Sequence, residues 1–302
     1  MNILKSVGSY GGLTIISRVL GYLRDILIAI FIGTSYLADA FFVAFRLPNT
    51  FRRLFAEGSF NSAFIPMYTK YRSNRQSYVF ANSIFNFLLL ILLGIVFLCE
   101  IFMGGVMYLI SPGFVGDTNK FEVAKTLSRI TFPFLLFVSL SSFLSAILNS
   151  NNKFAASAAA PIILNIFFII SIFISNYYDK SFVHSMSLAV FFSGIIQFLI
   201  LLFCVRKYFL PTIGFKFLNL SYIKDFFKRI LPSIFSSGIM QINILVGTII
   251  ASFQSSAVSY LYYADRVYQL PLALTGIAIG TVILPVLSKS LKSDTDKNVK
   301  FL

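Results

Sequence analysis

Arginines and carboxylates recur where this sequence is otherwise apolar. Arg18, Arg24 and Asp25 lie in the stretch 7–33, Asp39, Arg46, Arg52, Arg53 and Glu57 in 36–69, and Asp265 and Arg266 in 257–288. A charge at the centre of a bilayer costs at least about 2.5–3.5 kcal/mol, so such residues face a wet cavity or one another. Six arginines stand against four carboxylates in these stretches. That surplus of fixed positive charge needs an anion. A guanidinium fork matches paired phosphate oxygens and stays charged at any physiological pH. The chemistry these residues suit is recognition of a phosphate or diphosphate. The competing readings are buried ion pairs that hold helices together, and a voltage sensor. Sensor arginines repeat every three residues, and these do not.

The spacing sets expectations about partners. Arg53 and Glu57 stand at i,i+4 and can pair within one helix. Arg24–Asp25 and Asp265–Arg266 are sequence neighbours. Adjacent side chains on a helix do not face each other, so their partners are expected on other helices. Arg46 and Arg53 are seven residues apart and share a helix face. At 1.5 Å rise per residue, Arg24, Arg46 and Arg266 fall roughly 14 Å below the outer ends of their spans, and Arg18 and Arg52 roughly 22 Å. If these spans line one cavity, the arginines form two stacked layers.

The elements that must position them are membrane helices. The chain has 302 residues, of which 57% are hydrophobic and 12% charged. Soluble domains average about 45–50% apolar and about 25% charged residues. The class expected is all-α, a polytopic membrane helical bundle. Eight spans are read at 7–33, 36–69, 78–110, 122–149, 156–176, 185–205, 229–253 and 257–288, each long enough for a hydrocarbon layer of about 30 Å. The second exceeds a straight crossing, and Pro48 and Gly58 are its expected bends. Pro133, Pro161, Pro232 and Pro271 also fall within or beside spans, where proline permits bending.

Lys and Arg are distributed unevenly between the two sides. Counting from an inside N-terminus, the inner segments hold fifteen of these residues and the outer segments and margins four: Lys120, Lys125, Arg129 and Lys180. The orientation expected is N-in and C-in. The stretch 215–230 mixes Phe215, Phe217, Phe226 and Phe227 with Lys216, Lys224, Lys228 and Arg229, and reads as an interfacial amphipathic helix. It divides the chain into a six-span lobe (1–208), a connector (209–229) and the two-span start of a second lobe (230–302). A loose echo links spans two and eight. Phe41-Phe42, Leu47-Pro48, Gly58 and Pro66 in one match Tyr262-Tyr263, Leu270-Pro271, Gly280 and Pro285 in the other. Repeated halves are common in transporters.

Several function classes are disfavoured. The net charge of +14 reflects residues that flank spans, which topology explains without nucleic acid. His184 stands alone in a loop, and the carboxylates are scattered among arginines. A polyprenyl-phosphate enzyme with a magnesium cluster or histidine nucleophile therefore lacks its parts, and no metal or cofactor site is read. Cys99 and Cys204 sit toward opposite sides and are expected to pack rather than bond. A small-residue cleavage site is missing, so no removable signal peptide is expected.

The motifs themselves resemble a known family. Ser17-Arg18-Val19-Leu20-Gly21, Arg24-Asp25, the run Asp39 to Asn49, the run Arg52-Arg53-Leu54-Phe55-Ala56-Glu57-Gly58, and Tyr262-Tyr263-Ala264-Asp265-Arg266 closely resemble the MurJ (MviN) family of the multidrug/oligosaccharidyl-lipid/polysaccharide exporter superfamily. The resemblance covers the whole chain. It implies a flippase, not an enzyme, that carries lipid II, the undecaprenyl-diphosphate-linked peptidoglycan precursor, to the outer face of the bacterial inner membrane by alternating access. It implies that Arg18, Arg24, Arg52 and Arg266 are the critical, substrate-binding cavity arginines, and Asp39 and Asp265 match charged family positions; Asp25, Arg46, Arg53 and Glu57, read from the residues themselves, are expected as further supporting cavity charges. It also implies about fourteen spans in two lobes, of which this chain holds the first eight. A second polypeptide supplying the missing helices is one expectation. An exporter of another lipid-linked oligosaccharide and an inactive truncated remnant are the alternatives.

Overall fold

A computed structural model describes residues 3–56, 59–71, 75–269 and 271, all of them in helices, turns or short connections and none in a strand. Glu57, Gly58, the side chain of Arg53 and the second half of the eighth expected span lie outside the described residues. Two compact units are present, Met1–Ser259 and Tyr260–Leu302.

The first unit opens with α1 (Ile3–Phe31), which ends where Gly33 takes a φ of +60° and donates back to the Ala29 carbonyl. A left-handed residue closes a helix in this way, and glycine takes that conformation at no steric cost. α2 (Tyr36–Ala56) runs through Pro48 as one helix, and α3 (Ser59–Lys70) follows. The third expected span is α4 (Arg75–Ile101) followed, after a break at Phe102, by α5 (Met103–Ile110). A 3-10 turn at Pro112–Gly116 leads to α6 (Thr118–Thr131), whose N-terminus is capped by Asp117 accepting from the Lys120 backbone. Pro133 stands in the short break before α7 (Phe134–Ser150), as its missing N–H favours. α8 (Ala155–Tyr177) and α9 (Phe182–Val205) match the fifth and sixth expected spans.

Of the amphipathic helix expected over 215–230, residues 220–230 are helical. A 3-10 turn at Phe215–Phe217 is followed by α10 (Leu220–Ser252), which begins at an Asn219 cap and includes the basic stretch as its own first turns. α10 bends by 60° between the arms Leu220–Ser233 and Gly238–Ser252. Residues 210–219, which are mostly non-helical, are held instead by one face of α4. Tyr78 Oη donates to the Leu210 carbonyl (2.9 Å). Asn82 Oδ1 accepts from Thr212 N (2.8 Å), Asn86 Nδ2 donates to the Thr212 carbonyl (2.8 Å), and Asn86 Oδ1 accepts from Gly214 N (2.9 Å). Ser83 Oγ accepts from Asn219 N (2.7 Å). Irregular backbone beside a membrane needs such internal partners.

Among the described residues, four segments are long and apolar enough to cross a membrane: Arg75–Ile101, Thr118–Ser150, Ala155–Tyr177 and Phe182–Val205. The two arms of α10 make a fifth if taken together. α1 and the α2–α3 pair occupy the first two expected spans, but their charged and small polar residues lower the hydropathy.

Packing relies on shape. α8 lies against α9 and α1, α7 against α9, and α2 against α6. Helices in lipid gain little from hiding apolar surface, so close approach and ring contacts must hold them. Gly194 of α9 is such a point, since a Cβ there would stand 2.6 Å from the Phe134 ring of α7. Phe143 of α7 is the hub of an aromatic cluster, with ring centroids 5.1 Å from Phe64, 5.5 Å from Phe85 and 5.8 Å from Phe209. Rings at these separations add attraction beyond their buried area.

Candidate functional site

Arg24 and Asp25 are both 6% exposed on α1. Contrary to the expectation from their adjacency, they pair directly. Arg24 Nη2 and Nε donate to Asp25 Oδ1 at 2.7 and 3.0 Å. The arginine stem is long enough to bring its fork back around the helix, which the rule for adjacent side chains does not allow for. The expected second helix is present as well. Arg24 Nη1 donates to Asn165 Oδ1 of α8 (3.0 Å), and the guanidinium lies 5.1 Å from the centroid of the Phe168 ring. Asn165 Nδ2 donates in turn to the Ser17 carbonyl (3.0 Å). One amide thus ties α1 to α8 at the residue before Arg18. Arg18 itself is exposed, and among the described residues no carboxylate lies within ion-pair distance of it.

On α2, Arg46 Nη1 donates to Thr248 Oγ1 of α10 (2.5 Å), and Arg52 Nε donates to Asn49 Oδ1 (3.2 Å). In the second unit, Asp265 and Arg266 share the Gln269 side chain. Gln269 Nε2 donates to Asp265 Oδ2 (2.7 Å), while Arg266 Nη1 donates to Gln269 Oε1 (3.4 Å) and its guanidinium lies 4.9 Å from the Tyr262 ring centroid.

Asp39 is fully buried. Its Oδ2 accepts from Lys120 Nζ of α6 (2.7 Å), and that ammonium lies 4.1 Å from the Phe114 ring centroid. Its Oδ1 accepts from Ser259 N (2.8 Å) and Ser259 Oγ (2.5 Å). Nearby, Gly113 N donates to Ser252 Oγ (3.0 Å) and Ser256 Oγ donates to the Thr34 carbonyl (2.9 Å). These bonds join α2, α6, the 3-10 turn and the segment 252–259 at one end of the bundle.

Lys120 was expected among the outer flanking charges. Its pairing with Asp39 occupies one of the four carboxylates in those stretches, which leaves Asp25, Glu57 and Asp265 to set against six arginines in the sequence. Asn165, Lys120, Thr248 and Ser259 are residues that sequence reasoning missed. Asn165 could have been found as a lone amide within the apolar run Ile162 to Ile170. The other three carry no comparable signal.

The family model described as "Lipid II flippase MurJ" matches residues 28–302. A "Probable lipid II flippase MurJ" of Rhizobium tropici is 38% identical over 301 residues, covering 97% of this chain and 56% of that protein. The chain thus spans little more than half the length of that curated relative. The solved structure "Lipid II flippase MurJ, inward closed conformation" superposes with a TM-score of 0.81 at 32% identity, over 94% of this chain and 59% of that one. A MOP superfamily transporter from Pyrococcus furiosus superposes with a TM-score of 0.65 at 15% identity, over 89% of this chain and 61% of that one, a likeness of fold alone.

Proposed function

Because the chain belongs to the lipid II flippase MurJ family, we propose that it forms part of a flippase. That flippase moves lipid II, an undecaprenyl-diphosphate-linked disaccharide-peptide, from the inner to the outer face of the cytoplasmic membrane. The observation that carries this reading is the arginine surplus, sharpened by the loss of Asp39 to Lys120. Arg18, Arg24, Arg52 and Arg266 receive the diphosphate. Asp25, Arg46, Arg53, Glu57 and Asp265 tune the field around it, and Asp39 holds the outer end.

An arriving diphosphate competes with Asp25 for the Arg24 fork. Charge-assisted bonds to phosphate are about twice as strong as neutral ones, so substrate can draw Arg24 away from Asn165 and loosen the tie between α1 and α8. At the other end, the bonds of Asp39, Ser252 and Ser256 are polar and exchangeable with water. Such contacts can open and close without exposing an apolar seam, as alternating access requires. The N-terminus lies in the cytoplasm, residues 1–208 form the first lobe, and 230–302 begin the second.

The test is growth of a strain depleted of its own flippase and dependent on the protein that carries this chain. Alanine at Arg18, Arg24, Arg52 or Arg266 is expected to abolish lipid II exposure at the outer face with the membrane level unchanged. Lysine rescues poorly, because it loses the bidentate fork. Normal growth of all four alanine variants would overturn the reading.

A further inference from the structure

The first turns of α10 present two different surfaces within one helical turn. Asp225, Lys228 and Arg229 join Met67, Lys70 and Tyr71, at the end of α3 and just after it, around a polar pocket. Phe226, Phe227 and Ile230 instead close an apolar groove with Phe60 of α3 and the α4 residues from Ile84 to Ile95. Residues 100° apart on a helix separate onto such faces. The pocket stands at the chain ends of α3 and α10, and the groove runs deeper along α4. From Ile84 to Ile95 the groove spans about 16 Å along the helix, close to half of a hydrocarbon layer of about 30 Å. Phe87, Leu88, Ile91 and Ile95 of the groove are themselves only half-buried, so this face opens toward the bilayer.

The pocket has unspent charge. Lys70, Lys228 and Arg229 are exposed, and among the described residues no carboxylate lies within ion-pair distance of any of them. Three cations face one Asp225. They belong to the basic-rich side of the chain, where clustered Lys and Arg between membrane helices attract anionic head groups.

We propose that the pocket and groove together bind an anionic glycerophospholipid of the inner leaflet. Its phosphate is held by Lys70, Lys228 and Arg229. One acyl chain lies along Phe227, Leu88, Ile91 and Ile95. The one-leaflet length of the groove suits an acyl chain rather than a polyprenyl tail, so this site is separate from the arginine site and does not depend on the transport reading.

The experiment is native mass spectrometry of the purified chain in detergent, titrated with phosphatidylglycerol and with phosphatidylcholine of the same acyl chains. Phosphatidylglycerol is expected to be retained at least about tenfold better, given about 1 kcal/mol per basic residue near a lipid surface. The K70Q/K228Q/R229Q variant loses that preference, while K216Q/K224Q, which neutralises two cations outside the pocket, keeps it. L88W/I91W fills the groove and lowers retention of both lipids. The three pocket cations are exposed, so their replacement leaves the helical circular dichroism intact and the charge series stays readable if the groove variant misfolds. Equal loss in K216Q/K224Q would reduce the effect to diffuse surface charge and overturn the proposal. Retention of the preference in K70Q/K228Q/R229Q would overturn it too. So would full competition by inorganic phosphate at the concentration of the lipid, because the groove would then contribute nothing.

Discussion

At the scale of residues, the decisive feature is how each intramembrane charge is accommodated. Arg24 spends its fork on Asp25 and Asn165, whereas Asp39 is enclosed between an ammonium and a serine. The second arrangement makes a sharp prediction. Lys120→Met leaves the Asp39 carboxylate buried without its cation, and removing one partner of a buried pair costs about 3–5 kcal/mol. Thermal unfolding in detergent is expected to shift down strongly. Adding Asp39→Asn to that variant removes the orphaned charge while keeping an oxygen for Ser259, so most of the loss is recovered. A double variant as unstable as Lys120→Met alone would show that the Asp39 charge is not what Lys120 offsets.

At the scale of elements, contact between helices depends on small side chains and on polar groups that serve backbone. The α7–α9 crossing leaves no room at Gly194. Gly194→Ala is expected to cost about 1–3 kcal/mol, the usual cost of overpacking. Gly94→Ala on α4, where a Cβ meets nothing within 4 Å, is expected to be neutral or to stabilise by up to about 1 kcal/mol through helix propensity. Unfolding midpoints of the two variants compare these directly, and equal shifts would refute the account of the crossing. α4 shows the complementary device. Its Tyr78, Asn82 and Asn86 recur every four residues, form one stripe, and satisfy the backbone of 210–214.

At the scale of the whole molecule, the arrangement in the membrane is set by charge. The proposed orientation, with both ends in the cytoplasm, rests on fifteen inner against four outer basic residues. The burial of Lys120 lowers the outer count further. Cysteine placed at position 116 or 179 is expected to react with an impermeant maleimide added outside intact cells, and cysteine at 73 or 293 only after permeabilisation. The reverse pattern would invert the topology.

The sequence alone determined the class and the approximate course of the apolar helices among the described residues. A run of some twenty apolar residues can do little in lipid except form a helix, and an arginine within such a run must answer for its cost. The signature runs around Arg18, Asp39 and Arg52 were also sufficient to point to the family. What they left undetermined was pairing. Whether Arg24 turns to Asp25 or to another helix depends on side-chain length and on Asn165, which lies 141 positions away. Lys120 read as a flanking charge because its partner Asp39 is 81 residues distant and becomes its neighbour only when α2 packs on α6. The connector read as helical from residue 215 because its amphipathic pattern is local. Its non-helical start along α4 is held by hydrogen bonds from side chains more than a hundred residues earlier. Periodicity reports what one helix does along its own axis, and only packing brings distant groups within hydrogen-bonding distance.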